Sequence, residues 1–162
     1  MKFTEATEKD IALIQELARK SWESAYAEIL SKEQIDYMLG TMYSTEEISS
    51  QMKDPNYHYF LIQKADELLG FMGYEHHQDC TTKLHRIYLL PEGKGRGIGK
   101  ASMDFLKKNV SDCGDNRIIL NVNKSNPAKN FYESQGFKVY EEGVFDIGNG
   151  FVMDDFLMEF VF

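Results

Sequence analysis

The sequence predicts a mixed α/β chain. Helices come first, an antiparallel meander follows, and a strand-helix-strand-helix-strand run ends the chain. Three observations carry this. Ile11, Leu13, Ile14, Leu17, Ala18 and Trp22 recur at helical spacing. Tyr57 to Lys64 alternates and is rich in aromatics, and two further strand-like stretches follow across short turns. Arg117 to Val122 is apolar at Ile118, Ile119, Leu120 and Val122 and reads as a strand buried on both faces, and helical stretches flank it.

The elements follow in order. Lys2 to Ala6 reads as a short strand. Thr7 then caps a helix, with Asp10 in the place where a capping box usually has Glu. Ser31 begins a second helix whose stripe is Ile35, Met38 and Leu39, and Thr45 to Met52 supplies a third short one. Ala65 to Glu67 turns the chain into a strand over Leu68 to His76. Gln78 to Cys80 turns it again into a strand over Thr82 to Leu90. A glycine-rich loop leads to a helix from Ile98 to Val110. Pro127 opens a helix to about Gln135 and Gly136 stops it, leaving strands at Lys138 to Phe145 and Phe151 to Phe162.

Composition narrows the function. The chain has 162 residues, enough for one domain spanning 1–162 with a real core. It carries 18 basic and 26 acidic residues, a formal charge of -8, which disfavours nucleic acid as a partner and suits a cationic one. Cys80 and Cys113 form no CxxC pair, so neither a zinc ribbon nor a disulfide framework is indicated. No apolar stretch approaches the ~20 residues that cross a bilayer, and no signal core follows Met1. A cytoplasmic location without a membrane partner is the expectation.

The chemistry concentrates in Gly93-Lys94-Gly95-Arg96-Gly97-Ile98-Gly99-Lys100, between an apolar strand and an amphipathic helix. Glycines let the backbone turn and expose its N–H groups, and a helix N-terminus adds free donors. Lys94, Arg96 and Lys100 surround this anion cradle with positive charge. Two nucleotide readings fail on spacing. A P-loop closed by Gly99 and Lys100 needs glycine where Lys94 stands and a hydroxyl where Ala101 stands. A dinucleotide fingerprint needs glycine at Ile98, Lys100 or Ser102, depending on register.

Leu89-Leu90-Pro91 followed by Lys94 to Gly99 resembles motif A of the GCN5-related N-acetyltransferase (GNAT) superfamily. That motif, Gln/Arg-x-x-Gly-x-Gly/Ala after a strand, binds the pyrophosphate of coenzyme A. Gly97 and Gly99 match it, and Lys94 departs from the usual Gln or Arg while staying cationic. Leu120 to Asn123, then Asn126-Pro127-Ala128-Lys129-Asn130-Phe131-Tyr132-Glu133, then Gly136-Phe137, resembles motif B. Together the two motifs cover about Leu84 to Phe137, and Asp146 to Phe162 is similar to bacterial members.

The resemblance implies a mixed, mostly antiparallel sheet of six or seven strands with helices on both faces. It implies acetyl-CoA as co-substrate, no metal, and an N-acetyltransferase acting on a small-molecule primary amine in a ternary complex. It places Tyr132 beside the cofactor sulfur as general acid, a role that suits a phenol of pKa ~10 facing a departing thiolate. The alternative for Tyr132 is an aromatic anchoring helix to sheet. Asn126 either holds the pantetheine arm or caps its helix. Ile87 and Leu89 lie on the strand that supplies backbone groups to the pantetheine. His85 shares their parity and is the candidate base, with Glu75 or a water relay as alternatives.

Other features weigh less. His76, His77, Asp79 and Cys80 sit close together, but adjacent histidines on a strand point to opposite faces, which argues against a shared metal. Trp22, Tyr26, Tyr37, Tyr43 and Tyr74 are candidates for an acceptor pocket, and Asp154 and Asp155 for attracting an amine. The apolar strand Phe156 to Phe162 suggests pairing across a homodimer. A non-catalytic acyl-CoA-binding regulatory module and a protein N-terminal or lysine acetyltransferase are the competing functions.

Overall fold

The computed structural model describes residues 1–162. A short strand β1 (Lys2–Glu5) leads through a 3-10 turn (Glu8–Asp10) into α1 (Ile11–Tyr26), α2 (Lys32–Met42) and α3 (Thr45–Lys53). The meander is β2 (Tyr57–Lys64), β3 (Glu67–His77) and β4 (Thr81–Leu89). The second half is α4 (Ile98–Asp112), β5 (Arg117–Asn123), α5 (Ala128–Ser134), β6 (Lys138–Gly148) and β7 (Phe151–Val161). The seven strands form one sheet in the order β1-β2-β3-β4-β5-β7-β6. All neighbours are antiparallel except β4 and β5. This is the mixed, mostly antiparallel sheet that the sequence predicts.

Local chemistry sets the helix ends. The Thr7 N–H donates to the Asp10 carboxylate at 3.0 Å. The Ser31 hydroxyl accepts from the Gln34 N–H, and the Ser44 hydroxyl from the Glu47 N–H, both at 3.1 Å. Each satisfies a donor that the first helical turn leaves free. Helix α5 ends where Gly136 takes φ 93° and the Phe137 N–H returns to the Tyr132 carbonyl at 3.1 Å.

The sheet separates two cores. On one face α1, α2 and α3 bury Ile14, Leu17, Trp22 and Ile48 against Tyr59 and Phe71. On the other, α4 buries Ile98, Met103 and Leu106 against Ile62, Met72 and Ile118. Each fully buried aliphatic side chain contributes roughly 1.5–3 kcal/mol, so both faces hold the sheet that carries the site.

Two features of β4 shape that site. Its parallel pairing with β5 spans only Thr81↔Arg117, Thr82↔Ile118 and Lys83↔Ile119, after which the strands part. Its antiparallel pairing with β3 runs Gly73↔Arg86 and then Tyr74↔Leu84, so His85 is the extra residue of a bulge. The bulge reverses the alternation. Leu84, Ile87 and Leu89 face the α4 core, whereas Arg86 reaches Tyr43 and Tyr59 among the α1–α3 residues. The parity argument that put His85 with Ile87 and Leu89 is therefore corrected. His85 stacks on Tyr57 with ring centroids 5.2 Å apart, on the opposite face.

The expectation for Phe156 to Phe162 also changes. Strand β7 runs between β5 and β6 and is hydrogen-bonded on both sides, so it offers no edge to a partner. The edge strand on that side is β6.

Candidate active site between the parted strands

Where β4 and β5 separate, a cavity of about 650 Å³ opens. Its walls are Leu84 to Leu89 on one side and Leu120 to Val122 on the other. Tyr26 of α1 and Asn126, Phe131 and Tyr132 around α5 line it too, and the glycine loop lies at one end. Motifs A and B, separated in the chain by the 20 residues from Lys100 to Ile119, thus meet across one opening.

The glycine loop has the conformation an anion cradle needs. Gly95 and Gly97 take φ 76° and 74°, and Gly97 is the residue from which α4 starts. The N–H groups of Gly95 to Lys100 donate to no backbone acceptor, since the first such bond of α4 is Ala101 N–H to the Gly97 carbonyl at 3.1 Å. A side chain on Gly99 would place its Cβ 3.1 Å from the Phe131 ring, so glycine there lets α4 and α5 close together. The charges are less concentrated than the sequence suggests. The Arg96 guanidinium donates to Glu67 at 3.0 Å and lies outside the cavity lining. Lys100 pairs with Asp104 at 2.9 Å. Lys94 lines the cavity and is the loop cation with no acidic partner in the chain.

Asn126 does two things. Its Oδ1 accepts from the Ala128 N–H at 2.9 Å, capping α5, and its Nδ2 donates to the Tyr26 hydroxyl at 3.3 Å. Tyr132 packs its ring 5.6 Å from Phe131 and 6.0 Å from Phe137 while lining the cavity. Burial, reinforced by the neighbouring Tyr26, pushes its hydroxyl well above the usual phenol range, so it is protonated at neutral pH. Tyr88 lines the same wall, and burial raises it likewise.

At the far end His85 Nε2 lies 2.9 Å from Glu75 Oε1. Burial lowers the His85 pKa to about 4, against the opposing pull of Glu75. Burial raises Glu75, but hydrogen bonds from His85 and His77 outweigh it, and the carboxyl ends below its ordinary value. A carboxylate only accepts, so His85 carries its proton on Nε2 and leaves the Nδ1 lone pair free.

Sequence reasoning missed three residues here. Ser21 is 2 % exposed, lines the cavity, and its hydroxyl finds no partner in the chain. Its place one residue before Trp22 on the buried face of α1 was the available signal. Arg86 is buried without a carboxylate, its guanidinium 4.2 Å over the Tyr43 ring and donating to the Met42 carbonyl at 2.9 Å. Tyr88 carries no local signal. Of the five aromatic candidates for the pocket only Tyr26 lines it. Trp22 and Tyr43 are core, Tyr37 donates to the Ile147 carbonyl, and Tyr74 sits on the other face with Asn109. Asp154 pairs with Lys124 at 3.1 Å, and Asp155 is buried rather than solvated. Neither lines the cavity.

The profile of the Acetyltransferase (GNAT) domain family matches residues 26–153. The chain belongs to that family. It is an acetyltransferase, and acetyl-CoA is its acyl donor. A spermidine N(1)-acetyltransferase of Thermoplasma acidophilum is 30% identical over 151 residues, covering 90% of this chain and 91% of the relative. The crystal structure of PaiA N-acetyltransferase from Thermoplasma acidophilum in complex with coenzyme A superposes with TM-score 0.84 at 26% identity, covering 99% and 98% of the two chains. The aminoglycoside 6'-acetyltransferase type Ii superposes with TM-score 0.66 at 21% identity over 99% of this chain and 97% of its own, a likeness of fold.

Proposed function

We propose that this acetyltransferase moves the acetyl group of acetyl-CoA directly onto the primary amine of a small polyamine-like substrate in a ternary complex. The observation that carries the reading is one cavity lined by the glycine loop with its free N–H groups, by Tyr132 and by His85. The cradle and Lys94 hold the pyrophosphate. Ile87 and Leu89 flank the pantetheine arm, whose amides meet the β4 backbone that β5 leaves unpaired. The bound thioester supplies an activated acetyl group.

The amine nitrogen attacks the acetyl carbon through its lone pair, and the carbon–sulfur bond breaks. Tyr132 donates its phenolic proton to the departing sulfur. As the new bond forms, the nitrogen becomes strongly acidic, and His85 Nδ1 takes its proton. A base of pKa about 4 does not deprotonate an ammonium of pKa ~10 in advance, so the amine is captured in its neutral form. Glu75 holds the imidazole in the tautomer this requires. The net charge of -8 favours a cationic acceptor through long-range attraction, and the spermidine-acetylating relative supports a polyamine.

The test is thiol release from acetyl-CoA with spermidine, spermine, putrescine, an aminoglycoside and an N-terminal peptide. Turnover with polyamines above the others is expected. Preference for the peptide points to a protein acetyltransferase. Coenzyme A binding with no thiol release from any amine points to a binding module.

A further inference from the structure

Adjacent histidines of β3 take different roles. His76 points to the α4 face, where Nδ1 lies 3.0 Å from both Asp115 and Thr82 and Nε2 lies 3.4 Å from Cys113. Both its nitrogens are occupied. His77 points to the opposite face and shares it with Glu75 and His85. There two imidazoles converge on one oxygen: His77 Nε2 is 3.0 Å and His85 Nε2 2.9 Å from Glu75 Oε1.

We infer that Glu75, His77 and His85 form a binding site for a zinc-class divalent ion at the rim of the acetyl-transfer cavity. Three ligand atoms, one per residue, lie within 4.8 Å of one another. Tetrahedral zinc with bonds of about 2.0–2.1 Å separates its ligand atoms by about 3.3 Å. Two of the three separations already stand near that value, and the third closes by turning His77, the most exposed of the three side chains at 40%. Two imidazoles and a carboxylate form a donor set that zinc accepts with its fourth position open, whereas magnesium prefers oxygen alone. The bulge at His85 builds this set, because it turns His85 toward Glu75 and His77.

Occupancy has a consequence that rests on His85 serving as base. A metal ion on Nε2 moves the imidazole proton to Nδ1. The lone pair that receives the substrate proton is then gone, and transfer stops.

The experiment is zinc titration of the full chain with both cysteines changed to serine, so that thiols do not compete. Direct binding is read by calorimetry and turnover by thiol release. One zinc per chain, no magnesium binding, and at least about 100-fold weaker zinc binding in His77→Ala are expected, since losing a direct ligand exceeds the 10–100-fold typical for outer partners. Zinc should suppress turnover of the parent but not of His77→Ala. No zinc bound, or binding unaltered in both His77→Ala and Glu75→Gln, overturns the site. Zinc bound with turnover undiminished upholds the site and removes His85 as base.

Discussion

Replacing Tyr132 with phenylalanine separates chemistry from packing. The ring contacts with Phe131 and Phe137 survive in the variant. The hydroxyl's upward shift arises from burial and from Tyr26, with no hydrogen bond contributing. Its deletion therefore leaves no partner unsatisfied, and folding stability should move by less than about 0.5 kcal/mol. The kinetic effect should be large. A positioned general acid is worth about 10²–10⁴-fold, and about 10²-fold corresponds to about 2.7 kcal/mol of barrier. A thiol of reference pKa ~8.5 is more acidic than a phenol, and burial raises the Tyr132 hydroxyl further, so its proton moves only as negative charge develops on the departing sulfur. Steady-state kinetics should show kcat reduced about 100-fold, KM for acetyl-CoA unchanged, and Tm unchanged. A fall of less than about threefold in kcat removes Tyr132 as the acid. A fall in Tm of several degrees shows instead that the hydroxyl holds the fold.

Three further outcomes follow from the geometry. Gly97→Ala forces an alanine to φ 74°, costing about 1–2 kcal/mol, and should raise KM for acetyl-CoA while lowering Tm; an unchanged KM separates this turn from the cofactor. His85 is held neutral by burial with a folded pKa of about 4 against 6.5 unfolded. The unfolded chain then binds the extra proton, so stability is full above pH 6.5 and falls toward pH 4, by an amount on the order of 3 kcal/mol. His85→Phe, which keeps the stacking on Tyr57, should flatten that slope in acid denaturation and slow turnover at pH 6–9 without changing the profile's shape. Arg86→Leu should lower Tm by leaving the Met42 carbonyl unpaired, a loss of about 1–3 kcal/mol, while the Tyr59 hydroxyl loses its donor but keeps its bond to Gln51; an unaltered Tm shows that the buried cation contributes nothing net.

Much of this protein was legible because its signals are local. The stripe of α1, the serine caps of α2 and α3, and the glycine turns each state their structure within a few residues. The turn of the glycine loop was legible for the same reason: spacing alone rejected two nucleotide motifs, and Gly97 takes φ 74°. What depended on distant partners was not legible. That Arg96 pairs with Glu67 and Lys100 with Asp104 is visible only in the fold or along the helix surface, not in the loop itself. The face of His85 is decided by a bulge against β3, which no residue of β4 announces. Strand β7 looks like an edge until it is seen to return between β5 and β6.

The three-pair junction between β4 and β5 bears on the order of folding. Strands β1 to β4 close through short turns once the α1–α3 segment is in place, and β6 and β7 close as a hairpin. The parallel contact must wait for α4 to form and carry the chain back over the sheet, a longer loop with only three residue pairs as reward. That contact should therefore zip last. The amides that bond between β4 and β5 at this junction should gain exchange protection later than those that bond between β2 and β3 in a refolding pulse-labelling experiment, and the cavity between the parted strands should exist only after this final closure.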